Sequence, residues 1–175
     1  MIFEAVEIRL ATEDDFQFLP AVEDAAGEVY ADIGYDDIAA MPPMSAEEYV
    51  SFSAQGGAVW LAELQDSTIA GYCALTPLGT NIHIHELSVR KRYAKQGIGS
   101  QLLKFVLKAS EKNGYDSVTL LTFEKVVFNA PFYTRFGFEI ISDLTGFPHL
   151  KKLADAERQT PLFRYGRVAM IKNLP

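Results

Sequence analysis

The stretch Leu87-Ser88-Val89, a basic turn, then Gln96-Gly97-Ile98-Gly99-Ser100 constrains this chain more than any other: an apolar run hands over to a helix through glycines. Such a junction leaves the first helical N–H groups without intrahelical acceptors, and the helix dipole adds partial positive charge, so an anion is stabilised there. Glycines lack Cβ and let a phosphate approach the backbone closely. Alone, a Gly-x-Gly is equally well a tight turn. Arg90, Lys91, Arg92 and Lys95 lie beside this one, and four cations at a helix start point to a polyphosphate ligand. The rival phosphate motifs fail: no Lys-Ser/Thr follows at the spacing of a nucleoside-triphosphate loop, and the third glycine of a dinucleotide fingerprint is missing.

Around this junction the chain reads as one mixed α/β sheet. Val6 to Leu10 alternates like a strand, and Thr12-Glu13-Asp14-Asp15 caps a helix beginning at Phe16. Tyr30 to Pro43 reads as a loop, and Ser45-Ala46-Glu47-Glu48 caps a second short helix closed by Gly56-Gly57. Val59 to Leu64, Thr68 to Leu75 and Ile82 to Val89 are apolar or β-branched, with gaps at Gln65-Asp66-Ser67 and Pro77-Leu78-Gly79-Thr80 short enough for an antiparallel meander. A helical period runs through Leu102, Leu103, Phe105, Val106 and Ala109 to a glycine cap at Gly114. Val118 to Phe123 is a buried strand, Asn129 to Phe136 a short helix, Phe138 to Ile141 a strand, and Val168 to Ile171 a return to the sheet. Ser142 to Gly166, with Pro148, Lys151, Lys152 and Pro161, reads as a surface excursion. With no repeat or linker, residues 1–175 are expected to form a single domain with helices on both faces.

Composition narrows the function classes. The hydrophobic share of 49% and charged share of 22% are those of an ordinary globular chain. Before Arg90 there are 16 acidic residues against one basic, and from Arg90 onward 15 basic against 7 acidic, so the net −7 conceals a divided charge map. An acidic chain without a run of positive charge is poorly suited to nucleic acid, whose nonspecific affinity comes from neutralising phosphates. Cys73 is the single cysteine, which excludes an internal disulfide and points to a reducing compartment. No apolar run approaches the ~20 residues needed to span a bilayer, and the acidic N-terminus is unlike a secretory signal. The expectation is a cytoplasmic protein with no membrane partner and no metal, whose composition also admits a homodimer.

Three blocks resemble the GNAT superfamily of acetyl-CoA-dependent N-acetyltransferases: His83-Ile84-His85-Glu86-Leu87-Ser88-Val89, the turn Ala94-Lys95-Gln96-Gly97-Ile98-Gly99, and Asn129-Ala130-Pro131-Phe132-Tyr133-Thr134-Arg135-Phe136-Gly137-Phe138. The resemblance implies a mostly antiparallel central sheet with helices on both faces. It also implies acetyl-CoA as cosubstrate, its pyrophosphate on the backbone of Lys95, Gln96, Gly97, Ile98, Gly99 and Ser100, with Leu87, Val89, Asn129 and Tyr133 along the rest of the cofactor. Ala94 stands where the family usually has Arg or Gln. Within the superfamily, His-x-His on the strand and Pro-Phe-Tyr before an aromatic-Gly-aromatic resemble the arylalkylamine N-acetyltransferases, in which paired histidines serve proton removal and the tyrosine faces the CoA sulfur.

Acetyl transfer to an amine needs a neutral nucleophile, donors for the oxyanion and a proton for the thiolate. Strand alternation places His83, His85 and Leu87 on one face and Glu86 on the other. His85, relayed through His83, is the favoured base; Glu86 takes that role if the strand bulges. Tyr133 is the candidate acid, the Leu87 backbone the candidate oxyanion donor. Asn129 serves equally as a helix cap or a contact for the pantetheine arm. Glu23, Asp24, Glu28, Asp32, Asp36 and Asp37, interleaved with Tyr30 and Tyr35, read as a substrate-binding wall for an ammonium or as a solvated acidic face. The leading expectation is therefore a small-molecule amine acetyltransferase. The rivals are a peptide or protein amine acetyltransferase and a noncatalytic acetyl-CoA-binding regulatory module.

Overall fold

The structure, a computed structural model, describes residues 6–175. Seven strands pair in the order β1-β2-β3-β4-β5-β7-β6. They are β1 (Glu7–Leu10), β2 (Ala58–Glu63), β3 (Ile69–Leu78), β4 (Asn81–Val89), β5 (Ser117–Phe123), β6 (Glu139–Ile141) and β7 (Arg167–Asn173). The helices are α1 (Leu19–Ala31), α2 (Asp36–Ala39), α3 (Ala46–Ala54), α4 (Ile98–Lys112), α5 (Ala130–Thr134) and α6 (Pro148–Glu157). Packing divides the chain into two compact units, residues 1–76 with 86–109 and residues 77–85 with 110–175.

In the first unit β1, β2 and β3 are antiparallel neighbours. Alternation along β2 sends Val59 and Leu61 to one side, into a core with Phe16, Leu19, Val22, Tyr49, Ile69, Tyr72 and Ala74. It sends Trp60 to the other side, where its ring lies 4.8 Å from that of Phe105 on α4. Helices therefore cover both faces, and β3 is buried continuously from Ile69 to Leu75, as a doubly covered strand must be. The cap at Ser45 forms as expected: Glu48 N–H donates to Ser45 Oγ at 3.2 Å and Ser45 N–H to the Glu48 carboxylate at 2.7 Å. The cap at Thr12 also forms, its N–H donating to Asp15 Oδ2 at 2.7 Å, but it opens a 3-10 turn, Glu13–Phe18, and α1 starts only at Leu19 with Pro20 in its first turn, where a missing N–H costs nothing. Asp15 fastens this entry, accepting from both ends of the Arg9 guanidinium at 2.8 Å, which holds its carboxyl down at about 2.

Gly71 lets β3 lie against the backbone of β4: a Cβ there would stand 2.5 Å from the Ser88 carbonyl oxygen. Backbone cannot yield as a flexible side chain does. Gly71→Ala is expected to destabilise the protein by about 1–3 kcal/mol, measured as a lower midpoint in urea against an unchanged slope.

In the second unit β4 and β5 are parallel from Asn81↔Ser117 to Ile84↔Leu120. Strand β7 is antiparallel to both β5 and β6 and lies between them. Val118, Leu120, Phe123, Phe138, Leu150 and Met170 are fully buried here. Arg167 on β7 grips Glu157 at the end of α6 with two bonds of 2.7 and 2.8 Å, and its guanidinium carbon stands 4.7 Å from the centre of the Phe123 ring.

Three expectations need correction. The 30–43 segment is not all loop: α1 continues to Ala31, and α2 occupies Asp36–Ala39. The excursion 142–166 contains α6 and a 3-10 turn at Pro161–Tyr165; Pro148 sits in the first turn of α6, the position proline favours. Strand β3 runs through Pro77 to Leu78, so the turn into β4 is only Gly79-Thr80, with Gly79 at φ 66°.

Candidate active site

The junction between β4 and α4 is built as the glycines demand. After a 3-10 turn at Lys91–Tyr93, Lys95 and Gly97 adopt left-handed backbone with φ of 62° and 83°, and α4 begins at Ile98. Gln101 N–H donates to the Gly97 carbonyl at 3.0 Å, so the amides of Ile98, Gly99 and Ser100 precede the helical ladder and stay available to an acceptor. Gly97 is exposed, and a Cβ placed on it would meet nothing within 4 Å.

The four cations beside the turn do not act alike. Arg90 donates to the carbonyls of Ile69 at 2.9 Å and Ala21 at 3.2 Å, Lys91 pairs with Asp32 at 2.8 Å, and Arg92 lies over the Tyr93 ring. Three of them are thus tied to the first unit's own framework. Lys95, exposed at the bend, is the one whose position best suits an anion.

The histidine pair is divided in character. His83 is buried at 4% exposure, its Nδ1 in hydrogen-bond contact with Thr119 Oγ1 on β5 at 3.0 Å. Burial, then the charges of His85 and Arg167, push its pKa down to about 3, so it is neutral at physiological pH. His85 is exposed. Glu86 is half-buried and accepts from Ser88 Oγ at 2.7 Å, and its negative charge acts on Glu23, Tyr49, Tyr72 and Cys73.

Leu87 and Val89 are half-buried near the end of β4. Arg90 N–H donates to Ala70 on β3 at 2.9 Å, and strand amides alternate between edges, so counting back turns the Leu87 and Val89 amides to the opposite edge. On that edge the β4–β5 register stops at Ile84, five residues before β4 ends.

Tyr133 is 7% exposed within an aromatic group, its ring centre 5.2 Å from Phe132 and 5.6 Å from Phe138. Asn129 precedes α5 at φ −115°, ψ −112°; its side chain makes no capping bond, and its carbonyl accepts from Tyr133 N–H at 3.1 Å. Tyr30, at the end of α1, and Tyr35, before α2, are both half-buried and joined through the backbone, Tyr35 N–H donating to the Tyr30 carbonyl at 2.9 Å. The acidic wall is not uniform: Asp32 is paired with Lys91, Asp37 accepts from Ile38 N–H, Asp24, Glu28 and Asp36 are exposed, and Glu23 turns inward.

That inward turn reveals residues sequence reasoning missed. Glu23 Oε2 accepts from Met44 N–H at 3.3 Å and lies in hydrogen-bond contact with the hydroxyls of Tyr72 at 2.9 Å and Tyr49 at 3.1 Å, and the two tyrosine hydroxyls touch each other. The three side chains come from α1, α3 and β3, and no spacing in the sequence announces them. Among the described residues no cluster of His, Cys, Asp and Glu is arranged to hold a metal, and no helix is long and apolar enough to cross a membrane.

The fold is shared by solved acetyltransferases. A GNAT-family acetyltransferase from Staphylococcus aureus Mu50 superposes with a TM-score of 0.70 at 19% identity, over 98% of this chain and 100% of that one. The PaiA N-acetyltransferase of Thermoplasma acidophilum, solved with coenzyme A, gives 0.68 at 19% over 97% and 99%. A ribosomal-protein-alanine N-acetyltransferase of Escherichia coli gives 0.70 at 16% over 98% and 94%. At such identities the likeness speaks for the fold. Residues 55–140, which contain β2 to β4, the glycine turn, α4, β5 and α5, match the acetyltransferase (GNAT) domain family, the family to which the fold of those solved structures also points.

Proposed function

We propose that the protein transfers the acetyl group of acetyl-CoA to the primary amine of a small molecule by direct attack on the thioester. The observation that carries the reading is the exposed turn Lys95-Gln96-Gly97 opening α4, where a positive-φ glycine and the uncommitted amides of Ile98, Gly99 and Ser100 offer a pyrophosphate donors without side-chain obstruction. Lys95 adds charge.

In the reaction the amine nitrogen forms a bond to the thioester carbon while its surplus proton passes to His85, the exposed histidine of β4. His83, neutral and bonded to Thr119, positions this segment rather than carrying the proton itself. The carbonyl oxygen gains negative charge, for which the Leu87 amide on the unpaired edge of β4 is the donor; Val89 extends that edge along the pantetheine arm. Collapse breaks the C–S bond, and Tyr133 protonates the thiolate. Asn129 contributes to holding the arm, and Tyr30 and Tyr35 offer aromatic faces to the amine. The acetylated amine and CoA leave with atoms and protons balanced.

Release of free thiol from acetyl-CoA over a panel of arylalkylamines, aliphatic diamines and peptides tests the substrate class. Small primary amines are expected to turn over fastest; a peptide outrunning all of them would overturn the small-molecule assignment. With the best amine, His85→Gln is expected to lower kcat/KM by about 10²-fold near neutral pH, with the defect shrinking at high pH where the free amine is abundant. Glu86→Gln should do much less, and the reverse order would move the base to Glu86.

A further inference from the structure

The Glu23 cluster contains a proton count that does not close with an ionised carboxylate. Glu23 Oε2, Tyr49 Oη and Tyr72 Oη are each in hydrogen-bond contact with the other two. The two phenols supply two protons for these three contacts. With Glu23 ionised, one contact must set two lone-pair oxygens against each other, and at least one of the two belongs to a fully buried phenol that water does not reach, although Glu23 itself is half-buried. A carboxyl proton on Glu23 closes the ring: Tyr72 donates to Glu23, Glu23 to Tyr49, and Tyr49 to Tyr72. Phenolate is no alternative, since burial drives both tyrosines upward. The rings themselves meet edge to face, 5.8 Å apart, and both tyrosines are fully buried, which fixes the two oxygens in place.

We propose that Glu23, Tyr49 and Tyr72 form a proton-holding cluster in which Glu23 is a neutral carboxylic acid at neutral pH. The cluster touches none of the reacting atoms of the mechanism proposed above, and its link to β4 is electrostatic, through Glu86. The groups acting on Glu23 are Tyr49 from α3, the Met44 amide, Tyr72 from β3 and Glu86 from β4; burial and then the Glu86 charge favour the neutral acid and together outweigh the hydrogen bonds from Tyr72, Met44 and Tyr49, which favour the carboxylate. The coupling is reciprocal, so a proton held on Glu23 spares Glu86 a like-charged neighbour. Only the relevance to acetyl transfer rests on the function proposed above; the proton itself does not.

The test is infrared spectroscopy of the full-length protein labelled with ¹³C at glutamate carboxyls, at pH 7, without substrate. The expected result is a neutral-acid carbonyl band that shifts in D₂O and disappears in Glu23→Gln. A missing band in the wild type, or one that survives in Glu23→Gln, overturns the proposal. The pH dependence of stability provides a second readout. A folded pKa raised above the unfolded value contributes stability that is complete below the unfolded value, near 4.5, and is lost as pH rises through the folded one. Glu23→Gln, a neutral isostere, is expected to remove that decline, and an unchanged slope counts against the proposal. Should Glu23→Gln fail to fold, Tyr49→Phe, which removes two of the three contacts, must shift or abolish the band. Neither readout needs turnover, so a protein that acetylates no small amine would still show the band.

Discussion

Tyr133→Phe is expected to slow the chemical step by about 10²-fold or more in single turnover, on the scale of a lost general acid, while acetyl-CoA binding and thermal stability hold nearly constant. The reasoning is geometric. The ring is 7% exposed and packed edge-on against Phe132 and Phe138, so most of its contribution to the second unit comes from the carbon skeleton that phenylalanine keeps. The hydroxyl is what departs, and with it the proton that the proposed mechanism supplies to the thiolate. Rapid-quench measurement with enzyme in excess isolates this step, because slow release of CoA would mask it in steady state. A full-rate single turnover would assign the proton to water or another group.

Acidification gives the second large effect. The His83 pKa is lowered in the fold from 6.5 to about 3, so between those values the unfolded chain takes a proton that the folded protein refuses. The stability contributed by neutral His83 is complete above pH 6.5 and declines as pH falls toward about 3, by about 2 kcal/mol at pH 5 and up to about 5 kcal/mol at the lower end. The groups around it are Thr119 on β5, His85 on its own strand and Arg167 on β7, and the last two both oppose protonation of His83. Urea titrations at intervals from pH 7 to 4 should show this slope in the wild type and a slope smaller by one proton in His83→Gln. Equal slopes would mean that His83 titrates in the folded state. Glu23 acts in the opposite sense, gaining stability on acidification toward its unfolded pKa. The two contributions overlap, and the paired variants separate them.

What the sequence disclosed follows a physical divide. Signals confined to a few neighbouring residues were readable: the Ser45 cap, the β2 alternation that parts Trp60 from Leu61, and the glycine junction before α4. Helix α6 hid behind its lysines and its proline, although a proline opening a helix is itself a signal, with Leu150 at 2% exposure as the inward contact. Helix α2 is four residues long, below what periodicity can register. The larger omission was Glu23. It reads like its five acidic neighbours, and only contacts 26 and 49 residues away along the chain, with Tyr49 and Tyr72, distinguish it. The histidines show the same limit: one strand presents both, but burial by β5 and β7 makes one a core group and leaves the other at the surface.

The place of β7 between β5 and β6 bears on how the second unit is made. Strand β6 follows β5 closely in the chain, yet the structure gives it no direct pairing with β5; its ladder is to β7, whose residues 167–173 emerge from the ribosome about 26 positions later. Until then β5 shows an open edge and β6 has no ladder to join, so this half of the sheet must assemble late and through contacts distant in sequence, the slow class of folding step. The first unit's three-stranded meander carries no such debt to residues beyond 109. Biosynthesis thus favours an order in which the half bearing the glycine turn is ready first and the half bearing Tyr133 waits for the closing strand.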